Sequence, residues 1–206
     1  MANIYTDTSL YSGDKLGMIN QCLIAIGQRP LIAGTLIESL PIGSDGQIAS
    51  DIISTVMREV QRKGWYFNTD KNFLFHPDSF NFIVIPPNLL RIDVGNTANR
   101  GKIVIKSNKF YNRETFSYIY NEPVIADAIW LVDYDMLPGE AYEYIAKRSA
   151  RIFQQSVIPD KATTEHSLFA EQEAFEDLER VDFQYEDRNM CDFRIVNRQV
   201  NPHWGQ

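Results

Sequence analysis

The residues best spaced to do chemistry are Asp133-Tyr134-Asp135, two carboxylates separated by one aromatic residue. Such a pair can bind a cation or act as the two carboxylates of a polysaccharide hydrolase. The same positions end a strand-like stretch and precede the Pro-started helix at Pro138, where Asp is favoured for capping and turn geometry. The structural reading is preferred, and the hydrolase stands as the alternative function. His76, His166 and His203 are scattered, and none has a partner at ligand spacing. There is no Gly-x-Ser-x-Gly elbow and no Gly-rich phosphate loop. Cys22 lies on an apolar helical face and reads as a buried thiol. Cys191 is far from it, and neither cysteine has ligand-spaced neighbours. No metal, cofactor or catalytic residue is expected.

The second notable group is acidic. Between Glu165 and Asp187 nine carboxylates, among them Glu171, Glu173, Glu176, Asp177 and Glu179, face only Arg180 and Arg188. One reading is a solvated helix face. The sharper reading is a face that stays near DNA without holding it, because like charge repels phosphate. The net charge of −7 disfavours sequence-independent nucleic-acid binding, which requires clustered Lys and Arg. Twelve Phe and ten Tyr are enough for a β-core or a large interface. Nothing resembles a signal peptide or a membrane span, so the expectation is a soluble protein made in a reducing cytoplasm.

These groups must be positioned by a few elements. The central one is a helix from Ser44 to the Gly64 stop. Ser44 and Gln47 read as a capping box, and Ile48, Ile52, Ile53, Val56, Met57 and Val60 form its apolar stripe. Gly64 suits the left-handed C′ position, and Trp65-Tyr66-Phe67 leads into a β-region. Upstream, Ser12 or Asp14 caps a helix carrying Leu16, Ile19, Leu23 and Ile26. A connection anchored by Leu31, Ile32, Leu36 and Leu40 follows it. Downstream, period 2 marks strands at 72–75, 82–85 and 89–94. A hairpin follows through Ser107-Asn108, then strands at 117–119 and within 123–132. Helical period returns after Leu137, with Pro138 at the first helical position and a stripe of Ala141, Tyr142, Ile145, Ala146, Ser149, Ile152 and Phe153. Asp160 caps a last helix with Leu168, Phe175, Leu178, Val181 and Tyr185 inward. The expectation is α+β: an antiparallel bundle of about four helices (1–66 and 134–190), an inserted antiparallel β-domain (67–133) and an extended tail (191–206).

Three groups of residues occur in a telling order. They are Asn20-x-x-Leu23-x-x-Ile26-Gly27, then Arg62-Lys63-Gly64-Trp65-x-Phe67-Asn68, then Asp133-Tyr134-Asp135-Met136-x-Pro138 ahead of a helix with Lys147, Ser149 and Arg151. The set, covering residues 14 to about 188, resembles tail tubular protein A, the head-to-tail adaptor family of short-tailed bacteriophages (podoviruses). The resemblance implies a structural virion protein with no enzymatic activity. It implies a twelve-subunit ring that joins the portal protein to the tail nozzle and continues the DNA ejection channel. The partners implied are the portal, a nozzle resembling tail tubular protein B and further copies of the chain; no membrane is implied. Trp204 and Phe193, in the tail, are candidate partner contacts, and Glu171, Glu173, Glu176, Asp177 and Glu179 the candidate DNA-repelling face.

Overall fold

In the computed structural model the described residues are 14–94, 101–158 and 161–192, with side chains in the last helix described for 165–185. Phe193, Trp204, Pro159 and the expected cap Asp160 lie outside them. The fold is α+β: four α-helices with a small antiparallel β-unit between the second and third. The chain divides into two compact units, Met1–Met57 with Asp133–Gln206, and Arg58–Val132.

In the first unit, α1 (Lys15–Ala25) is capped by Asp14, whose Oδ1 accepts from Gly17 N at 2.8 Å. This satisfies one of the donors a helix start leaves free. The connection to α2 (Asp45–Gln61) is held through its backbone. Buried Asn20 accepts from Leu31 N at 2.7 Å and donates to Leu31 O at 3.3 Å. With the backbone tied, the apolar side chains are not needed as anchors. Ile32 and Leu36 are 83% and 68% exposed, against expectation, and only Leu31 and Leu40 are half-buried. The capping box is half formed: Ser44 Oγ accepts from Gln47 N, while the Gln47 amide turns forward to Asp51. The inward face of α2 is Ala49, Ile53, Val56, Met57 and Val60, and Ile48 is largely outside it.

α3 (Gly139–Val157) packs against both α1 and α4 (Lys161–Asp192). Pro138 is the residue before the helix rather than its first member. Gln154, nearly buried, donates to the Ala25 carbonyl at 2.8 Å and accepts from Ser167 Oγ at 2.6 Å, joining α3 to both neighbours. Tyr144, absent from the expected stripe, is buried against Phe175. On α4 the inward face is Glu171, Ala174 and Leu178, and the expected Leu168 and Tyr185 are about half exposed. An ion cluster displaced the apolar stripe: Glu171 lies between Arg148 (2.9 Å) and Arg151 of α3.

The Tyr142 hydroxyl donates to the Asp14 carbonyl at 3.3 Å, and burial, then the charge of Asp14, raises its pKa to about 12. A raised folded-state pKa contributes stability that is whole below pH 10 and is lost as pH climbs toward 12. Half-exposure discounts the full shift to about 1 kcal/mol. Urea midpoints at pH 9 and pH 11.5 should therefore fall further for the wild-type chain than for Tyr142→Phe.

In the second unit the first sheet has the order β1-β5-β2, from Thr69–Phe75, Val124–Trp130 and Leu89–Asp93. β1 carries a bulge between Asp70 and Phe73, with Asn72 at φ 57°. An extra residue re-aims the strand, and here Asp70 accepts from Trp130 Nε1 at 2.8 Å. The second sheet is the hairpin β3-β4, Ile103–Lys106 with Lys109–Asn112. Ser107 and Asn108 both have positive φ, as a two-residue type I′ turn requires. The expected strands at 82–85 and 117–119 form only isolated bridges. Asp78 Oδ1 takes the Phe80 and Phe82 N–H groups into a turn, and Pro86-Pro87 has no donors to continue a ladder. Phe75, Ile83, Ile85, Phe110, Tyr120 and Val124 are the centre of this unit's core. Trp65-Tyr66-Phe67 leads into β1 as expected, with Tyr66 and Phe67 in a turn.

Candidate functional site

The groups singled out from the sequence that lie among the described residues each have a definite place. Asp133 and Asp135 are exposed, Asp133 just before a single 3-10 turn, Tyr134–Met136, and Asp135 within it. The turn geometry expected of the pair is present, with Met136 N donating to Asp133 O at 3.1 Å, but Asp133 makes no side-chain cap bond. Tyr134 is the structural member: its hydroxyl is 3.4 Å from Ser54 Oγ, and the Lys15 ammonium lies 5.5 Å from its ring and 2.9 Å from the same Ser54. The triplet borders an open cleft of about 530 Å³ in the helical unit, shared with Asp14, Lys15, Leu36 and Glu38. Asp14 is spent on its helix cap and Lys15 on Ser54 and Tyr134. Among the described residues no three His, Cys, Asp or Glu side chains are grouped to hold a metal. Both aspartates stand in solvent on one turn, with no enclosing pocket among the described residues to hold a sugar between them. Reducing-sugar release from capsular polysaccharide is therefore expected to be at background and unchanged by Asp133→Ala/Asp135→Ala. That double variant should keep its urea midpoint within about 0.5 kcal/mol of wild type. Buried Cys22 is equally inert, its thiol pushed up to about 12 by burial.

The acidic group on α4 is split by the fold. Glu171 is 6% exposed and turned to Arg148 and Arg151, so it does not share the outer face. Glu173, Glu176 and Glu179 are exposed and Asp177 half-buried, with Asp177 bound to Arg180 at 2.7 Å. Two phenylalanines stand in the same outer row, Phe169 and Phe183, at 74% and 63% exposure. Single exposed apolar residues are ordinary, and it is their alignment on one helix face that makes a candidate contact surface. Sequence reasoning missed them, although their spacing of fourteen residues returns to one helix face.

A second surface lies on the β-unit. Lys106 and Lys109 flank the Ser107-Asn108 turn directly opposite each other. Their ammonium groups lie over aromatic rings, Lys106 at 4.9 Å from Tyr111 and Lys109 at 3.9 Å from Phe82. The charge of the chain is divided between the units. The helical unit has ten Lys and Arg against twenty Asp and Glu, and the β-unit ten against seven, giving −10 and +3. The total of −7 conceals this, which is why the sequence analysis did not anticipate a basic surface.

The family model described as tail tubular protein matches residues 16–188, from the first turn of α1 into α4. The chain belongs to the tail tubular protein family. As a tail tubular protein it is a structural component of a phage tail. No curated protein matches the chain. The match spans both compact units, so the ordered residue groups can be read as tail tubular architecture. Asn20 ties down the α1–α2 connection, and Tyr134 fastens the chain to α2 through Ser54. Gly64 to Asn68 turns α2 into β1, with Gly64 at φ 84°, where an added Cβ would meet Ile129 Cδ1 at 2.7 Å. No helix among the described residues is long and apolar enough to cross a membrane.

Proposed function

We propose that this tail tubular protein is the subunit of the head-to-tail adaptor, a twelve-membered ring between the portal and the tail nozzle through which DNA leaves the capsid. The observation that carries the reading is the family match across both units. An adaptor needs surfaces for neighbouring copies and for two different partners, and two compact units with separate exposed apolar groups suit that need. Phe80 and Phe116 on the β-unit are 75% and 78% exposed, and Ile32, Leu36 and Ile42 on the helical unit are 83%, 68% and 100% exposed. Phe116 keeps a positive φ of 53°, a costly conformation for a bulky residue that points to a constrained contact loop. Glu179, exposed on α4, suits a wall that repels DNA, and Phe193 and Trp204 are the proposed anchors of the tail segment in a partner pocket. The protein is made in the host cytoplasm and carried in the virion tail.

Imaging of the purified chain, alone and mixed with its cognate portal, with mass measured in parallel, tests the proposal. Twelve-fold rings in either sample are the expected result. A lasting monomer that ignores the portal would overturn it.

A further inference from the structure

The β-unit leaves one sheet face without a cover. Phe110 and Ile83 point into the core, while the neighbouring positions form the opposite face. Val84 is bridged to Lys109 and Phe82 to Ile119, and residues directly opposite on paired strands share a face. Val84 and Ile119 are 49% and 58% exposed. Lys106 and Lys109 border this patch as a cross-strand pair with no carboxylate partner among the described residues. Two like charges directly opposite are destabilising in an isolated sheet. An anionic surface laid over them removes that cost.

The helical unit carries such a surface. Phe169, Glu173, Glu176 and Phe183 recur on α4 at steps of four, three and seven, on the side away from Glu171, Ala174 and Leu178. At 1.5 Å per residue the two rings are about 21 Å apart along the axis, with the carboxylates between them. Arg180 falls in the same row, and Asp177 holds its guanidinium. One surface thus offers apolar groups with two cations, and the other apolar groups with two anions.

From this complementarity we infer that the Phe82–Val84–Ile119 face of one copy seats the Phe169–Phe183 face of α4 in the next. Lys106 and Lys109 meet Glu173 and Glu176 across the contact. The two surfaces differ, so the contact is heterologous and repeats head to tail, as closing a ring requires. The inference rests on the adaptor reading and specifies its lateral contact.

The test is charge reversal in the full chain: Lys106→Glu/Lys109→Glu, Glu173→Lys/Glu176→Lys and the combined four-fold variant. Sedimentation and particle imaging are run with and without cognate portal, and circular dichroism confirms folding. Each double reversal is expected to weaken association at least ten-fold, and the four-fold variant to recover it. An equimolar mixture of the two double variants should also recover association, as rings in which the two variants alternate, because every reversed face then meets the opposite charge on its neighbour. Rings from every variant alike would overturn this contact while leaving the adaptor reading intact. So would loss in both double variants with no recovery in the combined one. Wild-type chain that stays monomeric with and without portal would overturn both. Association independent of concentration, with the faces joined within one chain, would overturn the contact between copies.

Discussion

Asn68→Ala is expected to lower the stability of the β-unit by about 3 kcal/mol, read as a drop in the urea midpoint with an unchanged slope. Asn68 is 3% exposed and uses every polar atom of its side chain on backbone. Nδ2 donates to Gln61 O at 2.9 Å and to Trp130 O at 2.8 Å, and Oδ1 accepts from Trp65 N at 2.8 Å. Its backbone carbonyl also accepts from Trp130 N at 2.9 Å. Beside it, fully buried Gln61 donates to Val132 O at 2.9 Å and accepts from Val132 N at 2.7 Å. Trp65 Nε1 closes the group on Val60 O at 2.8 Å. Two amides therefore tie the segment by which the chain reaches the β-unit to the segment by which it leaves. Alanine at 68 strands two carbonyls and one N–H in a site that holds little water, and each such group costs about 1–3 kcal/mol. Asn68→Asp separates hydrogen bonding from shape. It is nearly isosteric but has no donor for the two carbonyls, so it should be at least as damaging as alanine. If Asn68→Asp proved as stable as wild type, the clamp would not be what holds this junction.

What was legible in the sequence is what local chemistry determines. Gly64 announced its positive φ because a helix ends there on basic residues, and Ser107-Asn108 announced a hairpin because two left-handed positions were needed between alternating strands. The order helices, strands, helices followed from the change of period. What failed depends on partners distant in sequence. Ile32 and Leu36 look like anchors until Asn20 is seen to hold Leu31 by its backbone. Residues 82–85 alternate like a strand and exchange two backbone bonds with 108–110, yet Asp78 takes the Phe82 N–H and Pro86-Pro87 stop the pairing from extending. Tyr144 was missed because a phenol on a helix faces inward only if something such as Phe175 meets it. For the candidate surfaces the same limit applies. Asp133 and Asp135 drew attention by type, whereas the residue of that triplet with a tertiary task is Tyr134. The lysine pair at the hairpin was hidden in a chain that is acidic overall.

Glu171→Ala is the second large effect, and it separates the structural carboxylate of α4 from the outward ones. Glu171 lies between two guanidiniums, Arg148 and Arg151, whose side chains are 29% and 16% exposed. Taking away the central anion leaves two like charges close together on α3, partly desolvated. Removing one partner of a buried pair costs about 3–5 kcal/mol, and the partial exposure of the arginines reduces this to about 2–3 kcal/mol. The change should lower the cooperative urea midpoint and free the α4 end first, seen as faster amide exchange at Ala174 and Leu178. Glu171→Leu, which fills the space without charge, should lose a similar amount, because repulsion between the two arginines persists. Adding Arg148→Leu and Arg151→Met to it should return most of the loss, since an apolar trio of similar volume can replace a buried ion cluster. Glu173→Ala/Glu176→Ala makes the opposite pattern: a midpoint within about 0.5 kcal/mol of wild type, and weakened association between copies. Acidic residues a few positions apart on one helix would then have distinct tasks, one inside holding α4 to α3 and two outside meeting a neighbour. Equal stability losses for Glu171→Ala and Glu173→Ala/Glu176→Ala would refute that division.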